Sequence, residues 1–367
     1  MVGGAKLLYA GLKLLPVQRK VVLITREPRQ ISVDFELLRQ AIVRKHPEHR
    51  IVLINHRKFS PSYMGKAMRE MYHLATCQAC VVDGYIIPVS ILNHRKELEI
   101  GQIWHALGAI KNFGHLASGT REGPHPKVAE VMQMHQKYTF VAASGDLPAE
   151  IYTAAFGVPR ERILPLGMPR VDYLLDEEET ASRKDRILQK YPQLTQGRTV
   201  LYVPTFRRGK QIPYSRLVDS FDSAQGNLVL VPHPFDRTEV ESRDGVVVDR
   251  SFSVLDWLSA ADAVITDYSA VTYEAALRNV SLIFWPYDIE DYIRSRGLAV
   301  DYRAEVPGPV TESAEEAAAA AQRLAAEEPD FSRFRSRHLN FIADDDGILP
   351  ADPPRCAERI VEALRLR

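Results

Sequence analysis

The segment Ala263-Val264-Ile265-Thr266-Asp267-Tyr268-Ser269-Ala270-Val271-Thr272-Tyr273-Glu274-Ala275-Ala276-Leu277-Arg278-Asn279-Val280-Ser281-Leu282-Ile283-Phe284 decides the fold. Ala263–Thr266 and Ser281–Phe284 are short apolar runs of strand length, and the spacing predicts a helix over Thr272–Arg278 between them. A strand, a crossover helix and a second strand make a βαβ unit with parallel strands. The same grammar extends backwards through Thr199–Val203, Asn227–Val231 and Val246–Asp249, with a helix over Val254–Ser259. A separate series fills the front of the chain. Its strands are Val21–Thr25, Arg50–Asn55, Val81–Asp83, Glu99–His105, Phe140–Ser144 and Ile163–Leu166. Helices are predicted over Asp34–Lys45, Tyr63–Ala79 and Asp146–Phe156. Between the two series, Asp176–Arg198 is polar and densely charged, and reads as a linker that is partly helical over Thr180–Lys190. The expected organisation is a segment of its own at 1–19, a first α/β domain at 20–175, a linker at 176–198 and a second α/β domain at 199–367. A last helix is expected over Cys356–Leu366.

The chain has 367 residues, 46% of them hydrophobic and 26% charged, enough for two domains that each bury a core without metal or disulfide staples. Its 47 basic residues balance 47 acidic ones, which argues against nucleic-acid binding, because that needs a basic face. The three cysteines, Cys77, Cys80 and Cys356, form no framework and fit a reducing compartment. Cys77 and Cys80 form a lone C-x-x-C, a candidate redox pair or half of a zinc site. It closes a helical run and has no second pair, so two small buried residues are the better reading.

No stretch reaches the roughly 18 apolar residues of a membrane span. At about 100° per residue, however, Leu7, Leu8, Leu12, Leu14 and Leu15 share a sector of about 160°, with Lys6 and Lys13 outside it. Residues 1–20 carry four basic groups and no acid. A short basic amphipathic helix of this kind suits an anionic membrane surface, with Lys6, Leu7, Leu8, Leu12, Lys13 and Leu15 as its contacts. The competing reading is a helix packed on the protein itself.

Ligands of doubly wound sheets bind beyond the carboxyl ends of the strands, so the polar residues that follow strands carry the functional argument. In the first half these are His105, which suits proton abstraction from a hydroxyl, and then Gly108 and Lys111, a candidate acceptor or phosphate contact. In the second half Thr205, Arg207 and Arg208 follow one strand and suit an anion clamp. His233, between two prolines, follows the next. Asp267, Tyr268 and Ser269 open a helix whose amides suit a diphosphate, and Glu274 one turn later suits ribose hydroxyls. Each also has a structural alternative, as a helix cap, a buried histidine or a solvated charge. No Walker A, G-x-G-x-x-G or G-x-S-x-G run occurs. No carboxylate cluster resembles a magnesium or zinc site, so a mechanism without metal or cofactor is expected.

The runs Trp104-His105-Ala106 with Gly108-Ala109-Ile110-Lys111, Pro204-Thr205-Phe206-Arg207, His233-Pro234 and Thr266-Asp267-Tyr268-Ser269 resemble, in order and spacing, the CDP-glycerol glycerophosphotransferases of teichoic acid synthesis. The similarity covers about residues 20 to 345. Polymerases of that family usually have glycine after the histidine. With Ala106, the W-H-A-x-G-A-x-K-x-F-G run looks more like the TagB-type primases. Glu274 stands where polymerases tend to have aspartate. The resemblance implies a GT-B fold, two Rossmann-like domains facing across a cleft, and monotopic association with the cytoplasmic face of the bacterial membrane. It also implies CDP-glycerol as donor, with an undecaprenyl-diphosphate-linked disaccharide as acceptor of the first glycerol phosphate. By the same resemblance His105 is the general base, with His233 beside it in the catalytic set, and His233, Arg207, Ser269 and Asp267 surround the donor diphosphate. Two rival readings are a GT-B sugar transferase and a catalytically dead lipid-intermediate binder. The first lacks the paired glutamates eight residues apart, because Leu282 follows Glu274 at that spacing.

Overall fold

A computed structural model describes residues 2–25, 31–55, 63–240 and 243–367; the side chains of Val2, Tyr63 and Met64 are not described. The chain forms two units, one built from residues 1–107, 112–172 and 354–367, the other from residues 108–111 and 173–353.

The first unit opens with α1 (Val2–Leu12), then β1 (Lys20–Thr25), α2 (Val33–Lys45), β2 (Arg50–Asn55) and α3 (Tyr63–Thr76). β3 (Ala79–Val82), α4 (Ile87–Ile91), β4 (Glu99–Gln102) and α5 (Pro126–Val131) follow. β5 (Phe140–Ala142), α6 (Asp146–Phe156), β6 (Ile163–Leu164) and α7 (Pro169–Leu175) complete the series. Its six strands are all parallel, in the order β2-β1-β3-β4-β5-β6. β1 and β3 read as continuous apolar runs because helices cover both faces of a parallel sheet. The order reverses between β1 and β3, and that switch point is where a crevice opens at the carboxyl edge.

The second unit takes in α8 (Glu177–Lys190), β7 (Thr199–Val203), α9 (Tyr214–Ser220), β8 (Asn227–Leu230) and β9 (Val246–Val248). α10 (Val254–Trp257), β10 (Ala263–Thr266), α11 (Val271–Leu277) and β11 (Ser281–Phe284) follow. It continues with α12 (Ile289–Ser295), α13 (Tyr302–Glu305), α14 (Ala314–Leu324) and α15 (Ser332–His338), before α16 (Cys356–Ala363). Its parallel sheet has the order β11-β10-β7-β8-β9, so the switch point lies between β7 and β10.

Two boundaries differ from the sequence reading. The helix expected over Thr180–Lys190 is present and starts earlier, at Glu177. Asp176 caps α8 by accepting the Glu179 amide, and Thr180, Arg183 and Ile187 form its buried stripe, with the Arg183 guanidinium 3.8 Å over the Tyr173 ring. Three glutamates in the first turn make the helix look like solvated sequence, although they only favour its positive end. The second correction concerns α16, which was expected in the rear domain but belongs to the first unit. Ala357, Ile360, Val361 and Leu364 join Phe35, Leu38, Ala41 and Ile42 of α2 in one core, and the Asp172 carboxylate accepts the Cys356 and Ala357 amides at 2.7 and 2.9 Å.

α1 exists and is tied down on one side. Tyr9 is buried and its hydroxyl donates to His94 Nδ1 at 2.8 Å, while His94 Nε2 donates to the Val89 carbonyl. Burial holds the His94 pKa down to about 4, so this ring is neutral. Arg95 donates to the Lys13 and Leu15 carbonyls. The other side of the segment is open: Leu7 is 78% and Leu14 88% exposed, and Leu8 and Leu15 are exposed as well. Leu12, Lys6 and Lys13 are half-buried. No described helix is long and apolar enough to cross a membrane. Cys77, Cys80 and Cys356 are buried free thiols, and burial pushes Cys77 up to about 12, which suits inert packing residues.

Candidate active site

At the first unit's switch point, Thr25 ends β1 and Asp83 follows β3. The Thr25 hydroxyl donates to Asp83 Oδ2 at 2.5 Å, and both residues are buried. The next strand, β4, stops at Gln102 instead of running on to His105 as the sequence suggested. Trp104 adopts φ +57°, a conformation that costs a bulky residue about 1–3 kcal/mol and persists only where its surroundings impose it. Here the Gln102 side chain accepts the Trp104 amide at 2.8 Å, and the indole stacks on Phe113 at 4.6 Å and edges Phe156 at 5.3 Å. The strained turn throws His105 outward, so that its ring is exposed beside the indole while Nδ1 lies 3.0 Å from the Asp83 carbonyl. A carbonyl can only accept, so Nδ1 carries the proton and the lone pair of the neutral ring is on Nε2. This is the tautomer a general base needs. Asp83 was not singled out from the sequence, because it reads there as the end of a strand. Only the β2-β1-β3 strand order reveals it.

Three residues after His105 the chain enters the second unit. Gly108 lies against the Tyr273 ring of α11: a Cβ there would sit 2.3 Å from the ring carbons, so no other residue fits. The Ala299 amide donates to the Ile110 carbonyl at 2.8 Å, and Lys111 bridges to Leu298.

Within the second unit the predicted donor residues gather at the carboxyl ends of β7, β8 and β10, but they divide into two groups. Thr205, Arg207, Asp267, Tyr268 and Glu274 are buried. Asp267 accepts the Thr205 amide at 2.9 Å and the Tyr268 amide at 2.6 Å. Arg207 donates to Asp267 Oδ2, to both oxygens of Asp288 and to the Thr205 carbonyl, at 2.7–2.9 Å. Tyr268, Tyr287 and Tyr292 surround the guanidinium at 4.9–5.4 Å. Burial alone would depress its pKa, but the charge of Asp267 and the hydrogen bond to Asp288 outweigh burial and raise it. The fork of Arg207, read from the sequence as an anion clamp, is turned inward here onto two carboxylates, and it joins the loops after β7 and β10. Tyr268 packs under that fork and does not face solvent.

His233, Ser269, Arg208 and Lys111 form the accessible group. His233 is flanked by the rings of Phe206 and Phe235 at 5.2 and 5.4 Å, and its Nδ1 accepts the Phe235 amide at 3.2 Å. The neutral ring thus bears its proton on Nε2, a donor suited to a phosphate oxygen. Burial first, and then the Lys111 charge, lower the His233 pKa, with Asp236 opposing. The lowered pKa favours the neutral ring at pH 7. The Lys111 ammonium lies within electrostatic reach of His233. Ser269 Oγ accepts the Val271 amide at 3.4 Å as α11 begins. A groove of about 520 Å³ opens at the amino edge of the same sheet, but Arg198 there is paired with Asp262, and it holds none of these residues.

Two parallel doubly wound sheets, with ionisable side chains collected at their carboxyl edges, make a GT-B-like α/β fold. The chain belongs to the CDP-glycerol:poly(glycerophosphate) glycerophosphotransferase family, whose model matches residues 8–364. It is 32% identical over 81% of its length to the teichoic acid ribitol-phosphate primase of Bacillus spizizenii (strain W23), and covers 81% of that protein. It is 26% identical to the teichoic acid glycerol-phosphate primase of Bacillus subtilis (strain 168), over 79% of this chain and 76% of that one. It is 30% identical to the poly(ribitol-phosphate) polymerase of B. spizizenii over 97% of its own length but spans only 58% of that protein. Among solved structures it resembles the wall teichoic acid polymerase TagF, with a TM-score of 0.75 at 17% identity, covering 99% of this chain and 93% of that one.

Proposed function

We propose that this protein transfers a polyol phosphate from a CDP-activated polyol to a membrane-linked acceptor, as a primase of teichoic acid synthesis. The observation that carries the reading is the His105 tautomer set by the Asp83 carbonyl. The acceptor hydroxyl oxygen attacks the phosphorus that bears the polyol, and its proton passes to His105 Nε2. The bond from that phosphorus to the CMP oxygen breaks, and CMP leaves as a phosphate anion. Such transfers depend on positioning and charge stabilisation, and the proposal assigns that role to the His233 Nε2–H, the Lys111 side chain and the start of α11 at Ser269 in the second unit. The motif runs favour CDP-glycerol with an undecaprenyl-diphosphate-linked disaccharide. The 32% identity to a ribitol-phosphate primase favours CDP-ribitol as a second reading. Offered CDP-glycerol, CDP-ribitol and UDP-sugars in parallel with the lipid disaccharide, the protein is expected to release CMP from a CDP-polyol and no UDP. Release of UDP alone would replace this reading with sugar transfer.

The open leucines of residues 7–15 supply a surface for the leaflet that holds such an acceptor, with Lys6 and Lys13 facing its anionic headgroups. The protein is expected to float with anionic vesicles, and a form lacking residues 2–15 to remain in the soluble fraction. Equal recovery of both forms would remove the membrane role from this segment.

A further inference from the structure

The turn from α2 to β2 reads His46-Pro47-Glu48-His49, and its side chains converge. His46, Glu48 and His49 each offer one ligand atom, all within 4.8 Å of one another. Glu48 Oε1 lies 3.0 Å from His49 Nδ1 and 3.7 Å from His46 Nδ1. Ligands at 2.0–2.1 Å from a tetrahedral zinc stand about 3.3 Å apart, and these two distances bracket that value.

The ring of His49 supplies an independent observation. It is buried, and its Nε2 lies 2.8 Å from Gln78 Oε1, an oxygen that also accepts the Arg367 amide at 3.4 Å. Nε2 is therefore the nitrogen that donates to that oxygen, which turns Nδ1 toward Glu48. Nδ1 is buried and faces the Glu48 carboxylate at 3.0 Å. A close nitrogen–carboxylate pair of this kind is held by a cation between the two atoms, a proton or a metal ion, and a metal ion would also engage His46. A histidine whose second nitrogen donates to an amide oxygen is also the usual arrangement of a metal-bound imidazole. The neighbouring Lys45 is neutralised by Glu358 and Glu362, and His46 is the C-cap of α2, an end that favours positive charge.

We propose that His46, Glu48 and His49 bind one divalent transition-metal ion of the zinc class, with water completing its coordination. The site ties the end of α2 to the start of β2. It lies at the amino edge of the sheet, separated from the carboxyl edge by the six residues of β2, roughly 20 Å, so it is structural and takes no part in the transfer reaction. The residue pattern escapes sequence reading because H-x-E-H within one turn matches no common metal-motif spacing.

The test is calorimetric titration of chelator-treated full-length protein with zinc chloride, with thermal melts alongside. Wild-type protein is expected to bind one zinc per chain and to melt higher in its presence. His46→Ala and Glu48→Gln, both at solvent-accessible positions, should weaken binding at least about tenfold and abolish the thermal gain, with Gln78→Ala weakening it by a smaller factor. His125→Ala, at an exposed histidine elsewhere, should bind as wild type does. Zinc binding that survives unchanged in both ligand variants, that is lost equally in His125→Ala, or that is absent in the wild type would overturn the assignment.

Discussion

His105→Ala is expected to lower turnover by at least about a hundredfold, the contribution of a positioned general base, while leaving the melting temperature where it is. The second half of that expectation follows from exposure: the imidazole is on the surface, so its removal opens no cavity in the core. The first half follows from the turn that holds it. Thr25 fixes the Asp83 carboxyl, the Asp83 carbonyl fixes the proton on Nδ1, and a left-handed Trp104 aims the ring outward. The loss should fall on turnover, with little change in the KM for the nucleotide donor, because in the proposed reaction the base acts on the acceptor hydroxyl. Near-wild-type turnover in the variant would remove His105 from the chemistry.

Arg207→Ala is expected to cost stability first. Removing one partner of a buried ion pair leaves its carboxylates uncompensated and costs about 3–5 kcal/mol. Here two are left behind: Asp267 and Asp288, of which Asp267 is wholly enclosed. For a unit of this size that corresponds to a fall on the order of ten degrees in melting temperature. Arg207→Lys should recover only part of it, since an ammonium cannot satisfy four acceptors in one plane. Were Arg207 instead a clamp on the donor diphosphate, the alanine variant would keep its melting temperature and lose affinity for the donor alone. Thermal melts and donor titrations on the same preparation distinguish the two.

The parallel sheets and the clustering of polar residues after β4, β7, β8 and β10 were legible because strand runs, crossover helices and strand-end residues follow local rules. What escaped was set by packing at a distance. The apolar Ile103 and Trp104 look like strand, and only the Gln102 side chain and the Phe113 and Phe156 rings explain why the backbone turns there. α8 hides its buried stripe among charges, and α16 returns to α2 across more than three hundred residues. Arg207 has the composition of an anion clamp, but Asp288, eighty-one residues further on, takes up its fork. The pairing of Asp83 with Thr25 and His105 depends on strand order, which no local pattern encodes.

Mass analysis of the lipid product bears most directly on the claim that His105 drives phosphoryl transfer from a CDP-polyol. Wild-type protein, a synthetic lipid-linked disaccharide and CDP-glycerol or CDP-ribitol should give one new species, heavier than the acceptor by a single polyol phosphate, and the His105→Ala protein almost none. A product heavier by a sugar, or an acceptor left unchanged with both donors, would contradict it.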